Sequence, residues 1–125
     1  MAYNMEMMIK IFLLSGLGGL VRWVLGTSTL LWFPKLGVAP GTLIVNIVGS
    51  FAIGFFSSSP LISDSWRVPL TAGLLGGFTT FSAFSLEGMN LIHGERFGLA
   101  LVYLAGSVVV GVLMCNLGFM LAQKI

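Results

Sequence analysis

Charge is scarce in this chain. Its 125 residues hold six Lys and Arg, four Asp and Glu and one His, so charged residues make up 8%. An ordinary soluble domain carries about 25%. The net charge of +2 comes without any basic cluster, which argues against a nucleic-acid partner. One cysteine, Cys115, rules out an intrachain disulfide, and its apolar surroundings favour packing over thiolate chemistry. His93 stands alone in a short polar stretch and reads as a surface residue. The acids Glu6, Asp64, Glu87 and Glu95 form no pair, and there is no Ser/His/Asp or Cys/His set. Enzyme chemistry therefore has almost nothing to stand on.

What the chain has is apolar length: it is 57% hydrophobic, with a mean hydropathy of +1.03. A soluble fold of this size cannot hide so much apolar surface, whereas a bilayer can. A spanning helix needs about 20 mostly apolar residues, and segments at about 9–33, 42–59, 68–92 and 97–121 fit. Pro34, Lys35, Gly37 and Pro40 punctuate the first linker, Ser57 to Arg67 the second, and His93 to Arg96 the third. Trp32 and Trp66 fall near span ends, where interfacial aromatics belong. Lys10 precedes an apolar stretch too long for a signal-peptide h-region of roughly 7–15 residues, so that stretch reads as a retained span. The fold class is thus an all-α membrane protein of four helices in one domain, residues 1–125, without internal repeats.

The third segment contains Gly73 to Ser85, with paired glycines at Gly76-Gly77 and paired threonines at Thr79-Thr80. Both pairs are poor helix formers. Loosened backbone survives at membrane depth only where protein or a water-filled cavity satisfies it. The run therefore predicts a helix broken in mid-membrane, a common setting for a polar binding site or pathway. Phe81 and Phe84 follow at i, i+3 and share a helix face. Such pairs usually pack. Their ring edges nevertheless carry partial positive charge that suits a small anion, and the hydroxyls of Thr80 and Ser82 would replace lost hydration.

Arg22 falls near the middle of the first span, where an arginine costs roughly 2.5–3.5 kcal/mol unless it faces water, a partner or an anion path. Snorkelling along a tilted helix is the bland alternative, which the mid-span position disfavours. Gly16, Gly18, Gly19 and Gly26 on the same span permit close helix contact. In the second span Asn46, Ser50 and Gly54 form a small polar stripe; Asn46 either glues helices or donates to an anion. Tyr103, Ser107, Gly111 and Cys115 form a similar stripe in the fourth span, suited to packing or to hydroxyl donation. With both termini on one side, Lys10, Arg67 and Lys124 face Lys35 and Arg96 on the other. So weak a bias fits insertion in both orientations and an antiparallel homodimer as well as it fits a single orientation.

Three motifs now meet a known pattern. Gly41 to Gly54 matches G-T-L-x-V-N-x-x-G-S-F-x-x-G, Gly73 to Ser85 is similar to a sequence ending G-G-x-T-T-F-S-T-F-S, and Gly18 to Trp23 resembles G-A-x-x-R-Y. Together they resemble the Fluc/CrcB family of fluoride channels over nearly the whole chain. The resemblance implies a passive fluoride exporter of the cell membrane, an antiparallel dual-topology dimer with two pores. It implies pore-lining Phe81, Phe84 and Asn46, with Tyr103 and Ser107 as polar groups along the path and Arg22 at a vestibule. It also implies a structural sodium ion at the dimer centre, on the backbone carbonyls of Gly76 and Thr79 from both subunits. Three positions depart from the pattern: Ala83 stands for a threonine, Gly19 for an alanine and Trp23 for a tyrosine. Glu87 agrees with an acid often found after the third motif, without an assigned role. One rival is a small dual-topology multidrug transporter, which needs an acid in the first span; here that span carries Arg22 instead. Another is a scaffold whose small-residue stripes merely pack.

Overall fold

A computed structural model describes residues 4–32 and 40–125. The expected end of the first span at Phe33 and the linker residues Pro34, Lys35 and Gly37 lie outside the described residues. All regular structure among the described residues is helical: α1 (Met5–Trp32), α2 (Pro40–Ser58), α3 (Asp64–Val68), a π-helical stretch (Pro69–Leu75), α4 (Gly76–Phe78), α5 (Phe81–His93) and α6 (Phe97–Ala122). Three of these, α1, α2 and α6, are each long and apolar enough to cross a membrane. The remaining segment runs from Asp64 to His93 in two halves, α3 to α4 and α5, separated at Thr79 and Thr80.

Local chemistry explains the ends. The Asn4 side chain caps α1 by accepting from the Met7 N–H at 2.8 Å. Pro40 opens α2, where its missing N–H is not needed. Pro69, fully buried, enters the third segment just where the ladder widens to π geometry. A proline there has no N–H to return to the preceding turn, so the wider i→i+5 spacing takes over. The turn between α5 and α6 is tight, and Glu95 adopts φ 57°, a left-handed conformation unusual for a side-chain-bearing residue.

Backbone proximity organises the bundle. The first half of the broken segment packs chiefly on α1, while α2 packs chiefly on α6. Glycines sit at the closest approaches: Gly18 faces the Leu74 carbonyl, Gly77 the Ser15 carbonyl, Gly54 the Cys115 carbonyl and Gly118 the Phe51 carbonyl. Lipid offers apolar side chains as good an environment as a neighbouring helix does, so close van der Waals contact replaces the hydrophobic effect as the force joining helices. Gly76-Gly77, expected to loosen the third helix, stays helical (α4), and Gly77 serves this contact instead. The break falls on the threonines. A small cluster of Phe84, Leu91, Ala100 and Tyr103 joins α5 to α6, while much of α1 and α6 presents exposed apolar side chains.

Gly18→Ala should destabilise the fold by about 1–3 kcal/mol, because the new methyl meets backbone that cannot move aside. Gly16→Ala, which meets nothing nearby, should be neutral or slightly stabilising. Thermal unfolding in detergent, followed by tryptophan fluorescence, separates the two.

Candidate functional site

The break is built from two extended residues. Thr79 has φ −86° and ψ 159°, and Thr80 has φ −150° and ψ 119°. The last helical bond before them runs from the Thr79 N–H to the Leu75 carbonyl at 2.9 Å. In an unbroken helix the Thr80 N–H would close on Gly76. It donates instead to Asn46 Oδ1 at 2.8 Å, while Asn46 Nδ2 donates to the Thr80 carbonyl at 2.9 Å. One side-chain amide thus replaces the lost main-chain acceptor of the Thr80 N–H and adds a donor to the Thr80 carbonyl, which as the N-cap carbonyl also opens α5. An asparagine NH2 holds two protons, so this geometry uses one and leaves a second.

On the far side of the break, Thr80 acts as the N-cap of α5, its Oγ1 accepting from the Ala83 N–H at 3.2 Å. That amide would otherwise serve the Thr79 carbonyl. Gly76 and Thr79 are therefore the residues whose helical donors have been diverted to side chains, as a cation held by main-chain oxygens requires. Among the described residues no group of three or more His, Cys, Asp and Glu could hold a metal. Arg22 Nε donates to the neighbouring Gly77 carbonyl at 3.1 Å. Its charge sits at the C-terminal end of the first half-helix, where the helix dipole favours a cation. Arg22 is thus drawn inward to the break rather than only toward the surface.

Phe81 and Phe84 open α5 with ring centroids 5.7 Å apart and planes tilted by 42°. Phe84 is 8% exposed and stacks toward Tyr103 at 5.5 Å, whereas Phe81 is 79% exposed in the single chain. Two clefts border Thr80. One, of about 330 Å³, is lined by Asn46, Ser50, Gly76, Thr79, Thr80 and Phe81 among others. The second, of about 340 Å³, runs past Arg22, Thr27, Thr42, Thr80 and Ala83. Ser82 lies 3.3 Å from the Thr80 hydroxyl, and either can be the donor.

Tyr103 and Ser107 lie elsewhere than along an open row of donors. The Tyr103 hydroxyl donates to Glu87 Oε2 in a short contact, and Ser107 Oγ donates back to the Tyr103 carbonyl at 2.5 Å. Lower on this stripe, Gly111 faces Ser50 and Cys115 faces Gly54, so much of it packs on α2. Glu87 is the residue that sequence reasoning left without a part. Its carboxylate accepts from Thr42 Oγ1 of α2 at 2.6 Å and from Tyr103 of α6. It thus ties three helices together. Its spacing from Phe84 hinted at the inward face, but the two hydroxyls come from distant segments. Glu6 falls within the first turn of α1 and pairs with Lys10, away from the break.

These features define a class: a small membrane-embedded helical protein with an interrupted helix, whose polar groups converge on the interruption. The sequence matches the family model described as CrcB-like protein, Camphor Resistance (CrcB), over residues 9–119, and the chain belongs to that family. It is 39% identical over 124 residues to the Fluoride-specific ion channel FluC of Erwinia tasmaniensis, covering 93% of this chain and 98% of that one. It is 43% identical over 119 residues to the protein of the same name from Pseudomonas putida, covering 89% and 92%. The Proteus mirabilis protein of that name is 37% identical over 120 residues, covering 93% of this chain and 95% of its own.

Glu87→Ala should destabilise the chain by about 1–3 kcal/mol, since Thr42 and Tyr103 are both buried and would lose their shared acceptor. Glu87→Gln, which keeps one acceptor oxygen, should lose less. Unfolding midpoints of both variants in the same detergent test this ordering.

Proposed function

We propose that this protein is a fluoride-selective channel that lets the anion leave the cell passively, and that it performs no enzymatic reaction. The observation that carries the reading is the convergence of Asn46, Thr80, Phe81 and Phe84 on one helix break in a chain of this family. Hydrogen fluoride crosses bilayers as a neutral weak acid and dissociates inside. An inside-negative potential drives the trapped anion outward at about 2.3 kcal/mol per charge per 100 mV, so no coupled energy source is needed.

In this reading Arg22 raises the local anion concentration at the mouth of its cleft without binding at full strength, because its Nε is engaged by Gly77. Asn46, Thr80 and Ser82 replace water as the ion approaches the rings. Phe81 and Phe84 turn their edges to it and hold it without a formal charge; weak sites in series favour release as well as entry. Tyr103 and Ser107, whose protons are held by Glu87 and by the Tyr103 carbonyl, contribute dipoles rather than free donors, with Glu87 fixing the tyrosine.

The functional unit in this proposal is an antiparallel homodimer. The weak charge bias and the large exposure of Phe81 in the single chain support it. The Gly76 and Thr79 carbonyls of each subunit would hold a sodium ion in that dimer, and the ion would supply positive charge between the opposed breaks. The multidrug-transporter alternative gains no support from an α1 whose only acid, Glu6, is paired at its end.

Purified protein in liposomes loaded with fluoride should release it on addition of a potassium ionophore, as read by a fluoride electrode, and chloride should stay behind. Phe81→Ile should lower the release rate at least about tenfold, equivalent to about 1.4 kcal/mol, while the elution volume of the assembly is unchanged. Wild-type rates in that variant would remove the ring edges from the mechanism.

A further inference from the structure

Arg67 lies away from the break, yet its guanidinium donates to four main-chain carbonyls. Nη1 donates to the carbonyls of Phe56 at 3.0 Å and Ser57 at 2.8 Å. Nη2 donates to Ser59 at 3.3 Å and Ile62 at 2.9 Å. Asp64 stands 3.7 Å from Nε, but it is fully exposed and adds little. The acceptors are the last carbonyls of α2 and those of the loop after it, and the donor belongs to α3, the start of the broken segment. Carbonyls at a helix C-terminus lack intrahelical donors, and a guanidinium fork suits them by charge and by geometry.

The consequence lies at the other end of the same seam. The first half-helix leans mainly on α1 and α2 leans mainly on α6, so these two elements touch each other only sparingly. Polar joints therefore bear on how they are aligned. One is the Arg67 fork; the other is the reciprocal pair of Asn46 and Thr80. On α2 they are separated by the stretch from Asn46 to Phe56, about 15 Å of helix. One turn from Asn46 along this stretch, Gly49 receives the Thr79 side chain at a distance no Cβ would allow. A slip of one residue at the Arg67 end would carry Asn46 about 1.5 Å along the axis, enough to break hydrogen bonds of 2.8 and 2.9 Å.

We propose that Arg67 is a positioning residue for the helix break: its fork on the end of α2 sets the axial register in which Asn46 meets Thr80. Its role in transport rests on the fluoride reading above; its role in register does not.

The test compares full-length wild type, Arg67→Gln, Arg67→Lys, Asn46→Ala and the double variant Arg67→Gln/Asn46→Ala, all in the same lipid. Hydrogen–deuterium exchange is read on peptides covering the break and on peptides from α1 and α6. In Arg67→Gln the break should exchange roughly tenfold faster or more while α1 and α6 keep their protection. Arg67→Lys keeps the charge but not the fork, and should fall between. In the double variant, exchange at the break and fluoride flux should be no worse than in Asn46→Ala alone, because the two residues act through one contact. Unchanged exchange at the break in Arg67→Gln overturns the proposal. So does uniform loss of protection in all helices, which would make Arg67 a general stabiliser, and so do fully additive effects in the double variant. A wild type that carries no fluoride would defeat the transport reading alone; the exchange data would still decide the register.

Discussion

A single amide spanning a gap in a helix is the constraint on which the rest of this structure depends. Interrupting a helix in hydrocarbon strands N–H and C=O groups that water cannot reach, and each stranded group costs several kcal/mol. Asn46 meets that demand for Thr80 in both directions, as donor and as acceptor. Thr80 then passes the service on through its hydroxyl to the Ala83 N–H, and Arg22 covers the Gly77 carbonyl from the other helix. The Thr80 cap of Ala83 is local, but Asn46 comes from α2 and Arg22 from α1, so the break is fully satisfied only in the assembled bundle. No local sequence preference would hold it open alone.

The same requirement explains the glycines. An asparagine reaches across a helix pair only if the axes run close, and close axes need missing side chains. Gly49 sits one turn from Asn46 and accepts the Thr79 side chain, while Gly18 and Gly77 bring α1 against the first half-helix from the other side. Gly41, close to Gly26, does the same for α1 and α2. Packing and hydrogen bonding are therefore one design: the glycines set the distance that the polar groups use.

Much of this was legible in the chain before any coordinates. Apolar length marked out the helices, and the paired glycines and threonines announced an interruption between Gly73 and Ser85. Its exact location was not legible, because helix propensity ranks glycine as the worse helix former of the two and does not see α1. Once Ser15 and Leu74 press on Gly77 and Gly18, the glycines gain more from staying helical than from unwinding. For Asn46, glue and anion donor stood as alternatives, yet one NH2 group has protons for both. Glu87 stayed unassigned for a different reason. Its hydroxyl partners, Thr42 and Tyr103, lie 45 and 16 residues away, and no spacing rule within one helix reaches them.

Counting protons narrows what an anion would meet beside the rings. Ser50 gives its hydroxyl proton to the Asn46 carbonyl, Ser85 to Phe81, Ser107 to Tyr103, and Tyr103 to Glu87. Those groups contribute dipoles but not free donors in this arrangement. The Thr80 and Ser82 hydroxyls share one contact, and Thr80 already accepts from Ala83. If Thr80 donates to Ser82, the Ser82 proton is left to point outward, and the second proton on Asn46 Nδ2 is likewise uncommitted. In the proposed channel, two neutral donors near these two rings would strip water from a small anion without trapping it. A carboxylate stands nearby, and each of its oxygens accepts one hydrogen bond, from Thr42 and from Tyr103. Selectivity in the proposed site would rest on neutral hydrogen-bond donors held at fixed positions, and the reciprocal pair of Asn46 and Thr80 is the contact that would hold them.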